Sequence, residues 1–167
     1  MLLDSSTRRN LELCETLRDK QKRGSLLWVL DKTKTAMGAR KLRQMIEQPL
    51  VVQEDIVHRQ EAVAYLKNDV ITREELREYL NPVYDLERLI GRISTKSANP
   101  RDLIALKSSL SMLPHIKYLI RECNVGLLHE LHDDIDELED VCVLIENSIV
   151  DEPPITCLLY TSPSPRD

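Results

Sequence analysis

Four residues in the second half of this 167-residue sequence carry the soft donor atoms that zinc prefers: Cys123, His129, His132 and Cys142. The two histidines are three residues apart, so they would share one face of a helix. Cys142 falls on an apolar stripe, where a small buried residue is the usual interpretation. Cys14 and Cys157 add no metal-ligand or disulfide spacing. We predict core and surface roles for these side chains, with a zinc site as the weaker alternative.

Carboxylates are concentrated in the same region, as they are in sites for divalent cations. The run comprises Asp133, Asp134, Asp136, Glu137 and Glu139. Acidic side chains at the start of a helix are stabilised by the helix dipole without any metal. We favour that explanation over a cation site.

A phosphate-binding loop needs clustered glycines followed by Lys and Ser or Thr. The four glycines are Gly24, Gly38, Gly91 and Gly126, and none has that context. No Ser/His/Asp or Cys/His arrangement stands out, although residues distant in sequence can meet in the fold. We therefore predict no catalytic, cofactor-binding or metal-binding residue in this chain, and we do not expect it to be an enzyme.

Positive charge is concentrated near the amino terminus. Residues 1–48 contain 11 Lys and Arg against 6 Asp and Glu, whereas residues 122–152 contain 11 acidic residues and no Lys or Arg. The side chains that could contact phosphates are Arg8, Arg9, Lys20, Lys22 and Arg23. Aromatic side chains that would stack on single-stranded bases are not interleaved with them. A solvated or interdomain role is at least as well supported, so the DNA-binding residues are unknown at this stage.

The composition favours helices that pack on one another. Apolar residues make up 42% of the chain and aromatic residues 4%, and Phe is absent, so Leu, Ile and Val must build the core. No apolar run approaches the ~20 residues that a membrane span requires, and no signal peptide is visible. The scattered cysteines fit a reducing compartment. We expect a cytoplasmic protein without a membrane partner.

Caps and breakers divide the chain into about seven helices. We expect Ser25 to cap a helix over residues 26–30, and Thr35 to cap a second helix that Pro49 ends. In that second helix the buried stripe would comprise Gly38, Leu42, Met45 and Ile46, with Gly38 at a close approach of helices. A third helix, over residues 54–67, would turn inward Ile56, Val63 and Leu66.

Further helices follow in the second half of the chain. A capping box at Thr72 and Glu75 would open a helix that runs to about Leu80, and Asn99 with Pro100 is a strong start signal. Three apolar stripes recur at helical spacing: Leu86, Leu89, Ile90 and Ile93; Leu103, Leu106, Leu110 and Leu113; and, on one last long helix, Ile135, Leu138, Cys142, Ile145 and Ile149.

The two ends of the chain depart from this pattern. Residues 11–13 (LEL) alternate as a short strand does, and Leu2 and Leu3 would pair with them. Residues 157–167 show no helical period and are predicted to be disordered. The predicted fold is all-α, a multi-helix core domain with a short N-terminal β element.

Several segments, in order and with fitting spacing, resemble the core domain of the MutS family of DNA mismatch repair proteins. The resemblance covers about residues 1–156. Its segments are 3–13 (LDSSTRRNLEL), 24–31 (GSLLWVLD), Thr33, Thr35, 37–38 (MG), Arg40, 42–43 (LR), 48–50 (QPL), Ile56, Arg59, 62–63 (AV), Leu66, 84–93 (YDLERLIGRI), 99–103 (NPRDL) and 149–154 (IVDEPP).

That resemblance implies a part of a dimeric, ATP-driven clamp that finds mispaired or unpaired bases in duplex DNA and starts repair with a MutL-type partner. The family binds ATP and Mg²⁺ in a C-terminal ATPase and reads the mismatch with a Phe-x-Glu wedge, which a chain without Phe lacks. It also implies a bacterial, nucleoid-associated location. This segment would couple the ATPase to the DNA clamp, with the helix containing Gly38 and the segment 85–93 as candidate joints.

The family pattern stops abruptly after Thr156. We therefore expect residues 1–156 to form an incomplete core (lever) domain and residues 157–167 to be a disordered, non-native tail. An incomplete core predicts exposed apolar patches. The alternative, a freestanding helical scaffold for protein–protein contacts, predicts a closed core.

Overall fold

The computed structural model describes residues 3–153, and every regular element in that range is an α-helix. The all-α prediction is confirmed for those residues. In chain order the helices are α1 (Ser5–Asn10), α2 (Leu26–Leu30), α3 (Ala36–Glu47), α4 (Gln53–Asn68), α5 (Val70–Leu80), α6 (Leu86–Ser94), α7 (Pro100–Leu110), α8 (Leu113–Ile120), α9 (Gly126–Asp134) and α10 (Glu139–Ser148).

The predicted N-terminal β element is wrong. Residues 11–13 turn, because Leu11 ends α1 in a helical conformation and Glu12 adopts a left-handed one with φ 48°. The carbonyls of Glu12 and Leu13 accept hydrogen bonds from the amides of Leu26 and Leu27, at 3.1 and 2.8 Å. Those carbonyls therefore satisfy the free amides of α2 instead of a strand partner. Leu3 belongs to no strand, and Leu2 lies outside the described residues.

Three predicted helix starts are confirmed. The Ser25 hydroxyl accepts from the amide of Trp28 at 3.2 Å, and the Thr35 hydroxyl accepts from Gly38 at 3.0 Å. Asn99 and Asp102 form a reciprocal capping box, in which each side chain accepts from the other residue's amide at 3.0 Å. These contacts satisfy backbone donors that a helix leaves unpaired at its start.

The capping box predicted at Thr72 is wrong. Asp69 caps α5, and its carboxylate accepts from the amide of Thr72 at 3.0 Å and from the Thr72 hydroxyl at 2.8 Å. An Asp three residues earlier competes for the same amide and carries a full charge, which strengthens a cap at the positive end of the helix. Thr72 thus lies inside the first turn.

The last long helix predicted from Ile135 to Ile149 is also wrong, because α9 and α10 are separate helices. Leu138 between them is left-handed with φ 50°, and the carboxylate of Asp136 accepts from its amide at 3.0 Å. Ile135 packs with one apolar cluster, whereas Ile145 lies in another. A continuous helix would place both residues on a single stripe, so the chain has to turn between them.

Two apolar clusters hold α4 to α10 together, and we call these helices the helical body. The first cluster comprises Ala62, Ile120, Cys123 and Leu128, and the second comprises Leu89, Leu106, Leu110 and Ile145. Helix α8 connects the clusters, because Leu113 near its start packs against the second and Ile120 at its end lies in the first.

Helices α1 to α3, here called the amino-terminal helices, bury less apolar surface. Their buried apolar residues are Leu13 and Leu27, and α3 has none. The predicted stripe of α3 is only half-buried. A Cβ at Gly38 would lie 3.0 Å from the Thr35 hydroxyl. The predicted close approach of another helix at Gly38 is therefore wrong, because the nearest neighbour is the residue that caps α3.

The predicted inward orientation in α4 is confirmed for Leu66, which packs against the first cluster. It is wrong for Val63, which is 62% exposed. Ile56 is half-buried on the same side as Val63 and lines a groove with it. Helix α4 therefore has two apolar faces, of which the body covers one. No helix in residues 3–153 is long and apolar enough to cross a membrane.

Candidate functional site

The structure separates the four candidate zinc ligands. Cys123 is buried in the first cluster, and Cys142 packs against the second. His129 and His132 share α9, with ring centroids 6.4 Å apart. In residues 3–153 no group of three or more His, Cys, Asp or Glu is placed to hold a metal ion. The two thiols therefore serve as small core residues in this fold.

The acidic run divides between two helix ends, which corrects the single helix start that we predicted for it. Asp133 and Asp134 end α9, whereas Glu139 and Asp140 lie in the first turn of α10. Only the second pair benefits from the helix dipole. Asp133 is stabilised instead by His132 and His129, whose Nδ1 atoms lie 3.0 and 3.1 Å from its carboxylate, and the hydrogen bond with His132 is the main cause that lowers the pKa of Asp133.

Some of the candidate phosphate contacts already have acidic partners. The Arg8 guanidinium lies 3.6 Å from Glu47, which also accepts from Arg43 at 2.9 Å, and Lys22 pairs with Asp31. Arg8, Arg9 and Arg43 line a pocket of about 280 Å³ together with Cys14. Burial, followed by the hydrogen bond from the Cys14 thiol to Glu47, raises the pKa of that thiol, which keeps it protonated. These contacts favour a structural role for this basic region.

A network of ion pairs between the amino-terminal helices and the body lies between α3 and α6. Arg40 of α3 donates from Nη1 and Nη2 to the two carboxylate oxygens of Asp85, both at 2.7 Å, and from Nε to Glu87 at 3.0 Å. A bidentate guanidinium–carboxylate pair fixes orientation as well as distance. The helix containing Gly38 and the segment 85–93, our two candidate joints, are therefore in direct contact.

Asp85 has a second role at this α3–α6 junction. It is the N-cap of α6, and its carboxylate accepts from the amide of Arg88 at 3.3 Å. The hydrogen bond from Arg40 is the main cause that lowers the pKa of Asp85, and the same bond raises the pKa of Arg40 further. Both groups stay charged at neutral pH.

Helix α6 is in turn attached to α7 by polar contacts and by the second cluster. The Arg92 guanidinium lies 2.6 Å from Asp102, a member of the α7 capping box. The amide of Tyr84, just before α6, donates to the hydroxyl of Ser109 at 3.0 Å, and Ser109 is fully buried. The junction is thus continuous with the core of the body.

Sequence reasoning missed the Arg40–Asp85 pair, because 45 residues separate the two partners and no local pattern connects them. It also missed the close approach of α9 to α4. A Cβ at Gly126 would lie 2.3 Å from Nε2 of His58, so this glycine lets the two helices meet. The glycine at the first position of α9 was the one feature of the sequence that could have indicated this close approach.

Comparison with known proteins gives a consistent result. Residues 6–157 match the family described as MutS domain III. Over 155 residues the chain is 66% identical to the DNA mismatch repair protein MutS of Lachnoclostridium phytofermentans, covering 93% of this chain and 17% of that protein. It is 60% identical over 156 residues to the protein of the same name from Alkaliphilus oremlandii, covering 93% of this chain and 18% of that protein.

Proposed function

The chain belongs to the MutS domain III family, and from that membership we propose that it is the helical core of a DNA mismatch repair protein. Its role is to relay the nucleotide state of an ATPase to a clamp on mismatched duplex DNA. The parent binds ATP and Mg²⁺ elsewhere, acts as a homodimer with a MutL-type partner, and works at the nucleoid in a bacterial cytoplasm. The segment itself binds neither nucleotide nor mismatch and catalyses nothing.

The observation that carries this proposal is the double role of Asp85. Its carboxylate both caps α6 and accepts two hydrogen bonds from Arg40 of α3. If α3 shifts, the Arg40 guanidinium draws the carboxylate with it, and the cap of α6 weakens or reorients. A displacement of α3 therefore reaches α6 through this carboxylate.

From α6, a displacement can pass to the other helices of the body through side chains that are packed against one another. The second cluster joins α6 to α7 and α10, and α8 extends from that cluster to the first. Lys117 of α8 also donates to the carbonyl of Ile135 at 2.9 Å, at the turn between α9 and α10. A relay requires an element with two discrete packings that both ends bias. We propose the α3–α6 junction as that element, because its ion pairs can exchange without opening a core.

The test replaces the 155 matching residues of the L. phytofermentans protein with the 155 residues of this chain that align with them at 66% identity. We expect the graft to bind mismatched duplex DNA selectively and to change that affinity with ATP. Arg40→Ala in the graft should reduce the effect of ATP on DNA affinity while DNA-free ATP hydrolysis stays unchanged. Arg88→Ala is the matched control, since the Arg88 side chain meets Asp85 through a single contact at 3.4 Å and the substitution leaves the capping amide in place.

Two results would contradict the proposal. The first is a graft in which Arg40→Ala and Arg88→Ala affect ATP coupling equally. The second is ATP hydrolysis or mismatch-selective binding by the isolated 167-residue chain. Light scattering and a thermal melt of that chain address the scaffold alternative. A monomer that melts cooperatively would favour the scaffold, and self-association through exposed apolar residues such as Trp28 and Leu144 would favour the incomplete core.

A further inference from the structure

The face of α4 that residues 3–153 leave uncovered forms an open groove of about 570 Å³ with the end of α3 and the loop after it. Its larger apolar side chains include those of Met45, Leu50, Ile56 and Val63. Ile56 and Val63 are seven residues apart on one side of α4, so the groove runs along the helix axis. We call this feature the α4 groove. Its length and direction suit a second helix packed alongside α4.

Positive charge flanks the α4 groove. Arg59 and Lys67 line it, and its described lining includes no carboxylate. Neither cation forms an ion pair with another residue of the range 3–153. An apolar floor with unpaired cations at its edge fits an occupant that is apolar on one side and acidic at the flanks.

A second exposed side of α4, next to the groove around the helix, has the reverse charge and provides an internal comparison. Val57 on that side is 42% exposed, and the residues around it include Glu54, Asp55 and Glu61. Two exposed valines on one helix therefore lie in surroundings of opposite charge. An acidic-flanked helix is attracted to the side of Val63 and repelled from the side of Val57.

We propose that the α4 groove is the docking site of an amphipathic helix with flanking carboxylates, which another part of the same polypeptide supplies. The proposal rests on the proposed function, because only in a longer protein does such a segment exist. The chain spans 17 to 18% of the length of the two relatives described above, so more than four-fifths of such a polypeptide lies outside it. Docking buries Val63 and pairs Arg59 and Lys67.

The experiment uses the graft in the L. phytofermentans protein and places p-benzoyl-L-phenylalanine at position 63 or, as the matched control, at position 57. After irradiation and protease digestion, mass spectrometry identifies the captured peptide. We expect position 63 to capture, within the same polypeptide, a helical segment from outside the grafted residues that contains Asp or Glu. Position 57 should capture it much less. Capture within the grafted chain, capture of a second copy, or equal yields at both positions would overturn the proposal.

Stability measurements provide the second readout. Val63→Asp should leave the melting midpoint of the isolated chain as little changed as Val57→Asp does, because both side chains are exposed there. In the graft Val63→Asp should lower the midpoint and Val57→Asp should not. Equal effects in the graft would contradict docking. Neither readout needs DNA or ATP, so docking can fail while ATP coupling succeeds, and the reverse result is equally visible.

Discussion

The helical body is stabilised mainly by apolar packing, whereas the amino-terminal helices are attached to it in large part through ion pairs. In the body, α6, α7 and α10 share the second cluster of buried leucine and isoleucine side chains, and α8 connects it to the first cluster. The amino-terminal helices bury Leu13 and Leu27 and are joined to α6 through Arg40, Asp85 and Glu87. Burial of apolar surface is non-directional, whereas a bidentate ion pair depends on geometry and is screened by salt.

That difference separates a rigid part of the molecule from an adjustable one. Moving helices that share an apolar cluster opens cavities, which costs several kcal/mol in a typical core. Exchanging the partners of an exposed ion pair costs far less, because water and salt replace the lost contact. The junction is therefore the place where this fold can change its arrangement while the body keeps its own.

The largest expected effect tests the core of the body. Leu110 is 4% exposed in the second cluster, so Leu110→Ala should lower the free energy of unfolding by about 2–5 kcal/mol through lost burial and a cavity. Urea unfolding followed by circular dichroism measures it. Leu144→Ala is the control, since Leu144 is 66% exposed on α10 and should change stability by less than about 0.5 kcal/mol. Similar losses at both positions would mean that the second cluster is not a packed core.

A smaller effect is expected at the start of α7. Asn99→Ala removes one half of the capping box with Asp102 and should cost about 1 kcal/mol in the free energy of unfolding. Asn99→Ser keeps a side-chain oxygen that accepts from the same amide, so it should restore most of the loss. If serine and alanine are equally destabilising in urea unfolding, the cap contributes nothing to the body.

The junction should respond to salt in a way that the body does not. We expect Arg40→Ala to destabilise the chain less than Asn99→Ala, because the Arg40 side chain is exposed to solvent. A double-mutant cycle with Asp85→Ala, measured by urea unfolding at low and high sodium chloride, isolates the pair. The coupling should shrink as salt rises, since screening shortens the range of charge interactions. A coupling that is unchanged by salt would contradict this description of the junction.

The smallest expected effect is a pH dependence of stability that comes from one carboxyl group, Asp31, at the end of α2. The hydrogen bond from Lys22, followed by that from the Thr33 hydroxyl, lowers the pKa of Asp31 from 3.8 to about 2. Because the folded pKa is the lower one, the stabilisation is complete above pH 3.8 and is lost as the pH falls toward 2. Carboxyl-carbon NMR should give a midpoint near 2 for Asp31, and Lys22→Met should raise it. An Asp31 midpoint near 3.8 in the unmodified chain would contradict the contact.

Local chemistry explains which parts of the fold were predictable. Ser25, Thr35 and Asn99 were identified as caps because a capping side chain accepts from an amide only three residues ahead. A short stretch of sequence therefore contains both partners of the interaction. The same locality misled the interpretation of residues 11–13, where an alternation of two leucines occurs in a turn. It also misled the prediction of a capping box at Thr72, because Asp69, three residues earlier, provides the cap instead.

By itself the sequence determined the helical class, the helix starts at Ser25, Thr35 and Asn99, and the resemblance to the MutS core domain, because these depend on composition and on neighbours within a turn or two. The tertiary structure alone decided that Arg40 meets Asp85, that the chain turns between Ile135 and Leu138, and that Val63 faces a groove and not the core. Each of these depends on the position of helices distant along the chain. Such positions follow from the packing of whole apolar faces, which no single stretch of residues encodes.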